Sequence, residues 1–508
     1  MSGCAHPAEG VLTIADGSHY CRGCRLPVDE AAISRSGNGA SPDFSGAGKS
    51  QTPDSQFDIR ETDLGNALRL VHHHGEDLRY CYPSSKWYVW SGTRWARDDT
   101  GEVHRRAKDA VRTIYAEAGD ADDPERRTKL AAHAMRSEAE ARIAAMVVLA
   151  RSETGIPVMP QELDADPWLL NVQNGTIDLK TGELREHKRG HLITKLAPVT
   201  YGLKAACPRW LSFLDRIMDG NGALIDYIQK AIGYTLTGDV SEQVLFFQHG
   251  TGANGKSTLS ETVLALLGDY GKQAAPGLLT VKRGETHPTE IADLAGARFV
   301  TSVEVDEGRR LAEALTKWLT GGDRVKARHM RQDFFEFAPT HKLWLSANHK
   351  PTVLGADLAV WRRIRLIPFN VVIPESEQDR TLPAKLKAEL PGILNWALEG
   401  CLLWQQDGLN PPKEVRAATA EYREEQDVIA PFLKDRCILG GDKEATATAL
   451  YDAYRRWCGD NGEKPMSQRR FGNRLSEHGL TSERRTGGKR WWLGVGLVTQ
   501  NGESQIGK

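Results

Sequence analysis

A chain of 508 residues with 66 basic and 67 acidic side chains carries a formal net charge of −1. That length accommodates about two to four domains, and the charge balance excludes a global field for polyanions, so any nucleic-acid site has to be a local basic patch. No apolar run reaches membrane-spanning length and no cationic-plus-apolar leader opens the chain. A cytoplasmic protein is therefore expected, in a host cytoplasm if a virus or plasmid encodes it.

Residues 1–30 supply four zinc-type ligands, Cys4, His6, Cys21 and Cys24, with Cys21-x-x-Cys24 as the knuckle and His19 as an alternative nitrogen. A segment this short has no core, so Zn²⁺ would have to fold it. Residues 31–57, rich in Ser, Gly, Ala, Asp and Pro, read as a flexible linker. The other five of the eight cysteines are scattered and read as packed or partly exposed thiols rather than a disulfide framework.

A helical α+β domain is expected over 58–205. A helix starts at Asp63, residues 78–81 and 87–90 are strand-like, and the dense Trp/Tyr set there reads as core rather than as a base-stacking platform. His72, His73 and His74 are adjacent on a helix and share no face, so they read as a solvated run. Helical patterns fill 102–151 with a break at 120–124, and 171–182 reads as a small hairpin. Two helices, 210–217 and 224–236, lead into the next domain.

That domain, 206–375, is organised around Gly250-Thr251-Gly252-Ala253-Asn254-Gly255-Lys256-Ser257, which fits the phosphate-loop pattern. An apolar strand precedes it and an amphipathic helix beginning near Thr258 follows, which is the context the motif needs. Glycines let the backbone turn N–H groups inward, and the helix start adds partial positive charge, so a triphosphate is favoured. Lys256 would reach the β- and γ-phosphates of ATP, and the Ser257 hydroxyl would hold Mg²⁺. Residues 297–307 read as a strand ending in acids, with Glu304 and Asp306 on one face. Those are candidates for the Mg²⁺ ligand and the carboxylate that polarises water.

Residues 343–348 read as a buried strand ending in the polar amide of Asn348, placed to touch the γ-phosphate. Lys326, Arg328, His329 and Arg331 bunch on a loop suited to a single-stranded backbone. Arg362 and Arg363 lie beside an apolar segment, where an edge arginine can reach a neighbour's γ-phosphate.

Together these motifs resemble superfamily 3 helicases, closest to the phage and plasmid primase-helicases and their poxvirus relatives. Residues 171–182, 233–238 and 391–400 are similar to flanking motifs of the same proteins, so the resemblance covers most of 60–495. It implies an AAA+-like ATPase core in a hexameric ring around single-stranded DNA. Lys256 and Ser257 match the phosphate and Mg²⁺ ligands, Glu304 and Asp306 the acidic strand end, Asn348 the sensor, and Arg362 or Arg363 the arginine finger acting in trans. Adjacent acids occur at Asp306-Glu307 rather than at Glu304, which leaves the water-polarising carboxylate open among the three. The stretch before residue 60 is too short for the large primase domain many members carry, so a helicase working with a separate primase and DNA polymerase is expected.

A helical connector, 376–428, leads to a winged-helix-like domain over 429–495 and a tail, 496–508. Arg469, Arg470 and Arg474 make its second helix basic, suited to phosphates of an origin duplex. The expected function is an ATP-driven replicative DNA helicase of a mobile element. The alternative is a nucleotide-switched initiation module that binds DNA without processive unwinding.

Overall fold

The computed structural model describes residues 59–281, 288–304, 308–331, 333–353, 358–427 and 429–498, together with two short N-terminal strands. Those strands, Val11–Thr13 and His19–Cys21, pair antiparallel. They belong to a unit spanning Met1–Asp58, and all else lies in the unit Ile59–Lys508. The expected zinc ligands Cys4, His6 and Cys24, the side chain of Cys21, and the expected linker 31–57 lie outside the described residues.

The second unit opens with α1 (Asp63–His74), capped by the Thr62 hydroxyl, which accepts from Gly65 N at 3.1 Å. Antiparallel strands β1 (Leu78–Cys81), β2 (Lys86–Trp90) and β3 (Trp95–Arg97) follow. Next come α2 (Glu102–Asp120), α3 (Pro124–Ser137) and α4 (Glu140–Ala150). The break expected at 120–124 is a helix start. Asp123 accepts from Glu125 N and Arg126 N, and Pro124 takes the first helical position, where its missing N–H leaves nothing unpaired. Trp95 and Tyr80 are buried, so the aromatic cluster is core. Arg69 is buried too, pairing with Glu117 at 2.7 Å and donating to the carbonyls of Ile59 and Arg60, which pins the start of the unit to α2.

A meander of β4 (Leu169–Val172), β5 (Gly175–Asp178) and β6 (Glu183–Arg185), then α5 (Pro208–Ile217) and α6 (Gly222–Leu236), lead to the central sheet. The elements that follow are β7 (Leu245–His249), α7 (Lys256–Leu267), β8 (Gly271–Gln273), β9 (Phe299–Glu304), α8 (Glu313–Thr320), β10 (Val325–Ala327), β11 (Phe335–Phe337), β12 (Lys342–Ala347) and β13 (Ile364–Pro368). Five of these strands form one parallel sheet in the order β8-β9-β12-β7-β13, while β10 and β11 make a separate hairpin. Strands of a parallel sheet covered on both faces are continuous apolar runs, and β12 is buried along its whole length. Phe246, Trp344 and Phe299 lie side by side across β7, β12 and β9, with centroids 4.4 Å and 5.7 Å apart. Because β12 sits between β7 and β9, the C-terminal ends of these strands open one crevice.

Helix α9 (Leu390–Asp407) crosses α6 at a glycine pair. A Cβ on Gly233 would sit 2.1 Å from Cys401 N, and one on Gly400 2.2 Å from Gln229 O. Helix α10 (Lys413–Glu425) covers the edge strand β13, and Thr419 Oγ1 accepts from Leu366 N at 3.1 Å, satisfying a donor the edge leaves open. The chain continues with α11 (Ile429–Arg436), β14 (Cys437–Thr446), α12 (Ala447–Asp460), α13 (Gln468–Glu477), β15 (Thr481–Arg484) and β16 (Arg490–Leu497). The strands pair antiparallel in the order β14-β16-β15. Cys81, Cys207, Cys401, Cys437 and Cys458 are buried free thiols. Among the described residues, no helix is long and apolar enough to cross a membrane.

Candidate functional site

The glycine loop joins β7 to α7 at the C-terminal edge of the sheet. Gly250 has no room for a side chain, since a Cβ there would lie 2.2 Å from Phe369 O. Gly252 and Gly255 take φ of +115° and +84°, values glycine adopts freely. The loop is tied to the segment after β13: Asn254 Nδ2 donates to Phe369 O at 3.2 Å, and Ile373 N donates to Ala253 O at 2.7 Å.

Lys256 is only 6 % exposed. Its ammonium donates to Gly250 O at 2.7 Å, Asn254 Oδ1 at 3.0 Å and Asn348 Oδ1 at 3.1 Å. Burial lowers its pKa. These three partners are neutral oxygens, so among the described residues the charge is held in place with no carboxylate to cancel it, and an anion there would be favoured. Asn348 follows β12 directly, so the structure brings together two expected site residues far apart in sequence. Thr251 and Ser257 are exposed, the latter in the first turn of α7, and Thr258 is half-buried.

Beneath the loop, the buried Gln248 of β7 accepts through Oε1 from Ser260 of α7 at 3.1 Å and from Ser346 of β12. It locks the loop's two flanks to the neighbouring strand, and no motif in the sequence points to it. The backbone of Glu304 ends β9, paired with Ala347 one strand from the loop. Its side chain, and Asp306 and Glu307 entirely, lie outside the described residues.

A cavity of about 840 Å³ flanks the loop. Phe213, Arg209 and Arg216 of α5, Thr258 of α7, and Ile373 and Glu377 line it, with Arg216 and Glu377 paired at 2.7 Å. These residues are distant in sequence and carry no spacing signal, so they were not legible as a site.

Arg362 and Arg363 are adjacent but differ in setting. Arg363 is 6 % exposed; its guanidinium donates to Thr320 Oγ1 at 3.0 Å and Ala359 O at 2.6 Å. Arg362 is exposed and donates to Gln243 Oε1 at 3.1 Å. Both lie at the N-terminal end of β13, where Leu245 N donates to Arg363 O. From Leu245 to the loop is a full strand, about 16 Å at roughly 3.3 Å per residue. Arg362 therefore cannot touch an anion in its own loop.

On the β10–β11 hairpin, Val325 and Ala327 point inward and Lys326 and Arg328 outward. Arg331 is exposed and His329 half-buried, its ring stacked on Phe335 at 5.6 Å. Phe334, absent from the expected site, is 51 % exposed, with Lys326 Nζ 5.4 Å and Arg328 Cζ 4.7 Å from its ring centroid.

Helix α13 divides its arginines. Arg469 is exposed and borders a cavity of about 850 Å³ shared with Asn473, Lys489, Arg490 and Trp492. Arg470 is half-buried, and burial first, then Arg474 and Arg310, hold its guanidinium below the ordinary range. Arg474 is 7 % exposed and faces Glu477 at 3.6 Å, which corrects the expectation that it lies open to DNA. It stands on the side of α13 that walls the cavity beside α10.

The architecture is that of a mixed α/β multidomain protein built on a parallel sheet. Comparison with known proteins agrees with the sequence. The family described as D5 N terminal like matches residues 67–219, poxvirus D5 protein-like matches 424–490, and a family of unknown function (DUF5906) matches 248–363. The chain is 28 % identical over 330 residues to the "Putative helicase L207/L206" of Acanthamoeba polyphaga mimivirus, covering 60 % of this chain and 34 % of that protein. It is 26 % identical over 283 residues to the "Putative helicase 022R" of Frog virus 3, covering 51 % and 28 %. It is 24 % identical over 333 residues to the "Putative primase C962R" of African swine fever virus, covering 59 % and 34 %. The apo structure of the NrS-1 C terminal region is 10 % identical, with TM-score 0.48, over 82 % of this chain and 96 % of that one. The chain thus carries D5-type domains, and the resemblance to the primase-helicase family is borne out. It spans about a third of the length of these curated relatives.

The contrast between the two arginines is testable. Arg363→Ala is expected to lower unfolding free energy by about 2 kcal/mol, the scale of lost charged hydrogen bonds, while Arg362→Ala leaves it unchanged. Urea midpoints for both variants check this; equal midpoints would remove the structural role of Arg363.

Proposed function

We propose that this chain is an ATP-dependent replicative DNA helicase that acts as a ring on single-stranded DNA. The observation that carries the reading is the Lys256 ammonium, buried at the crevice and held, among the described residues, by the oxygens of Gly250, Asn254 and Asn348. A triphosphate entering there meets loop N–H groups, the start of α7 and the Lys256 charge. The strand order, with β12 between the loop strand and the acidic strand, supports an AAA+-like core. The cavity beside α5 would take the nucleoside.

Ser257 and a carboxylate from the end of β9 would hold Mg²⁺, which when bound would supply positive charge beside the transferring phosphoryl group. One of Glu304, Asp306 and Glu307 polarises the attacking water, and Asn348 orients it. As the water oxygen bonds to the γ-phosphorus, its proton passes to that carboxylate, the bond from the γ-phosphorus to the bridging oxygen breaks, and ADP and inorganic phosphate leave. Lys256 neutralises charge through this step, and Arg362 supplies the rest from a neighbouring copy, because it stands at the far end of its own sheet. Burial of Arg363 favours Arg362 as that finger. The exposed Lys326, Arg328, Arg331 and Phe334 suit a strand drawn through the ring, with cations on phosphates and the ring stacking on bases.

The order β14-β16-β15 with α12 and α13 supports a winged helix, and Arg469 beside Lys489 and Arg490 suits duplex phosphates. That cavity also favours the second reading, an initiation module that does not translocate. A Zn²⁺ held by Cys4, His6, Cys21 and Cys24 is proposed on the sequence alone; elemental analysis of native protein and Cys21→Ala checks it, and a metal-free native protein removes it.

Strand displacement on forked DNA tests the main reading. Wild type is expected to unwind with ATP, Lys256→Ala to lose unwinding, and Phe334→Ala to bind single strands about tenfold more weakly, the scale of one lost base stack. Unwinding that survives Lys256→Ala contradicts the helicase assignment. Duplex binding without any unwinding supports the initiation module instead.

A further inference from the structure

A cavity of about 1090 Å³ opens at the N-terminal end of β13, away from Lys256. The turn carrying Arg362, the outer face of α10 and the end of α13 wall it. Helix α10 contributes Arg416 and Arg423, seven residues apart and so on one face, with the small Thr419 and Ala420 between them. Both arginines are exposed, and neither has a side-chain hydrogen bond or ion pair among the described residues. Arg362 holds only the neutral Gln243. Two acids on the same wall are engaged: Asp427 pairs with His478 at 3.0 Å and caps α11, and Glu477 faces Arg474. Glu424 is the remaining carboxylate of the lining beside four guanidinium groups, those of Arg362, Arg365, Arg416 and Arg423, so the cavity carries excess positive charge and favours an anion.

We infer that Arg416 and Arg423 join Arg362 in gripping the nucleoside triphosphate held by a second copy of this chain. The inference rests on the ring-ATPase reading and extends it. Arg362 has no access to its own loop, and Arg416 and Arg423 share its cavity. Of the cavity's two aromatic rings, the Trp361 indole is buried and the His478 imidazole is held by Asp427, which leaves neither open for bases to stack on. The far end of α10 is fastened to the chain's own sensor loop. Lys350, two residues past Asn348, pairs with Glu425 at 2.6 Å, and Tyr422 Oη donates to Pro351 O. One rigid helix therefore links the loop that reads a copy's own γ-phosphate to the arginines that meet its neighbour's. In the hydrolysis step the three guanidiniums neutralise charge on the phosphoryl oxygens; the bonds made and broken are those given above.

Subunit mixing in the full chain tests this. The double variant Arg416→Ala/Arg423→Ala is expected to lose at least tenfold in DNA-stimulated ATP turnover, with an unchanged urea midpoint. Mixed with inactive Lys256→Ala, it should regain activity, because its intact loop then meets intact arginines of the other copy. The matched mixture of Arg362→Ala with Lys256→Ala serves as reference. Recovery in the reference alone overturns the role of Arg416 and Arg423 and leaves the ring reading standing. Recovery in neither mixture overturns the ring reading, and the inference with it. Full turnover by the double variant overturns the inference outright. Weakened single-strand binding without nucleotide, again with no recovery, would assign the cavity to nucleic acid.

Discussion

The structure depends on one buried positive charge. The Lys256 ammonium is withdrawn from water and shared by three oxygens, two from the glycine loop and one from the end of β12. Burying a cation without a counter-charge is costly unless every donor is used. Here the donors are used, yet no carboxylate among the described residues cancels the charge. The parallel register makes this possible, since it delivers the ends of β7 and β12 to the same edge. Gly250 closes the loop onto Phe369 O at a distance no other residue tolerates, so the glycine loop and the segment after β13 are packed together.

The rest of the second unit is arranged about that edge. Gln248 braces the cradle from below, between Ser260 and Ser346. Helix α10 shields the exposed side of β13 and, through Glu425 and Tyr422, clamps the turn after Asn348 at Lys350 and Pro351. Beyond it, Asp427 joins the start of α11 to His478 at the end of α13. A continuous path of ion pairs and hydrogen bonds thus runs from Asn348 to the basic C-terminal elements. Spatial continuity of this kind permits coupling between nucleotide and nucleic acid; two discrete arrangements of the path would be needed to produce it.

Much of this was legible in the sequence because local patterns are strong where strands are fully buried. The glycine loop with its flanking strand and helix, the strand ending at Asn348 and the helices after residue 206 all follow from periodicity and turn chemistry. What escaped reading depends on tertiary contact. Strand β14 is interrupted by Gly440, Gly441, Asp442 and Lys443, so alternation fails and its pairing shifts register after Leu439. Phe334 looked like part of an apolar run, and only the hairpin turns it outward. Arg363 and Arg474 looked like surface charges beside Arg362 and Arg470. Their burial is decided by the tertiary neighbours that cover them, information that residue type does not carry. The lining of the cavity beside α5 is assembled from segments that no motif connects.

The central claim is that the nucleotide lies between copies, bound by the loop of one and completed by Arg362 of the next. The most direct measurement is the mass of the particle formed with a non-hydrolysable ATP analogue and single-stranded DNA, for wild type and Arg362→Ala. The account predicts a closed oligomer, sixfold the single-chain mass, for the wild type, and a particle weakened or broken by the substitution. A wild-type chain that stays single under every combination of nucleotide and strand would contradict it.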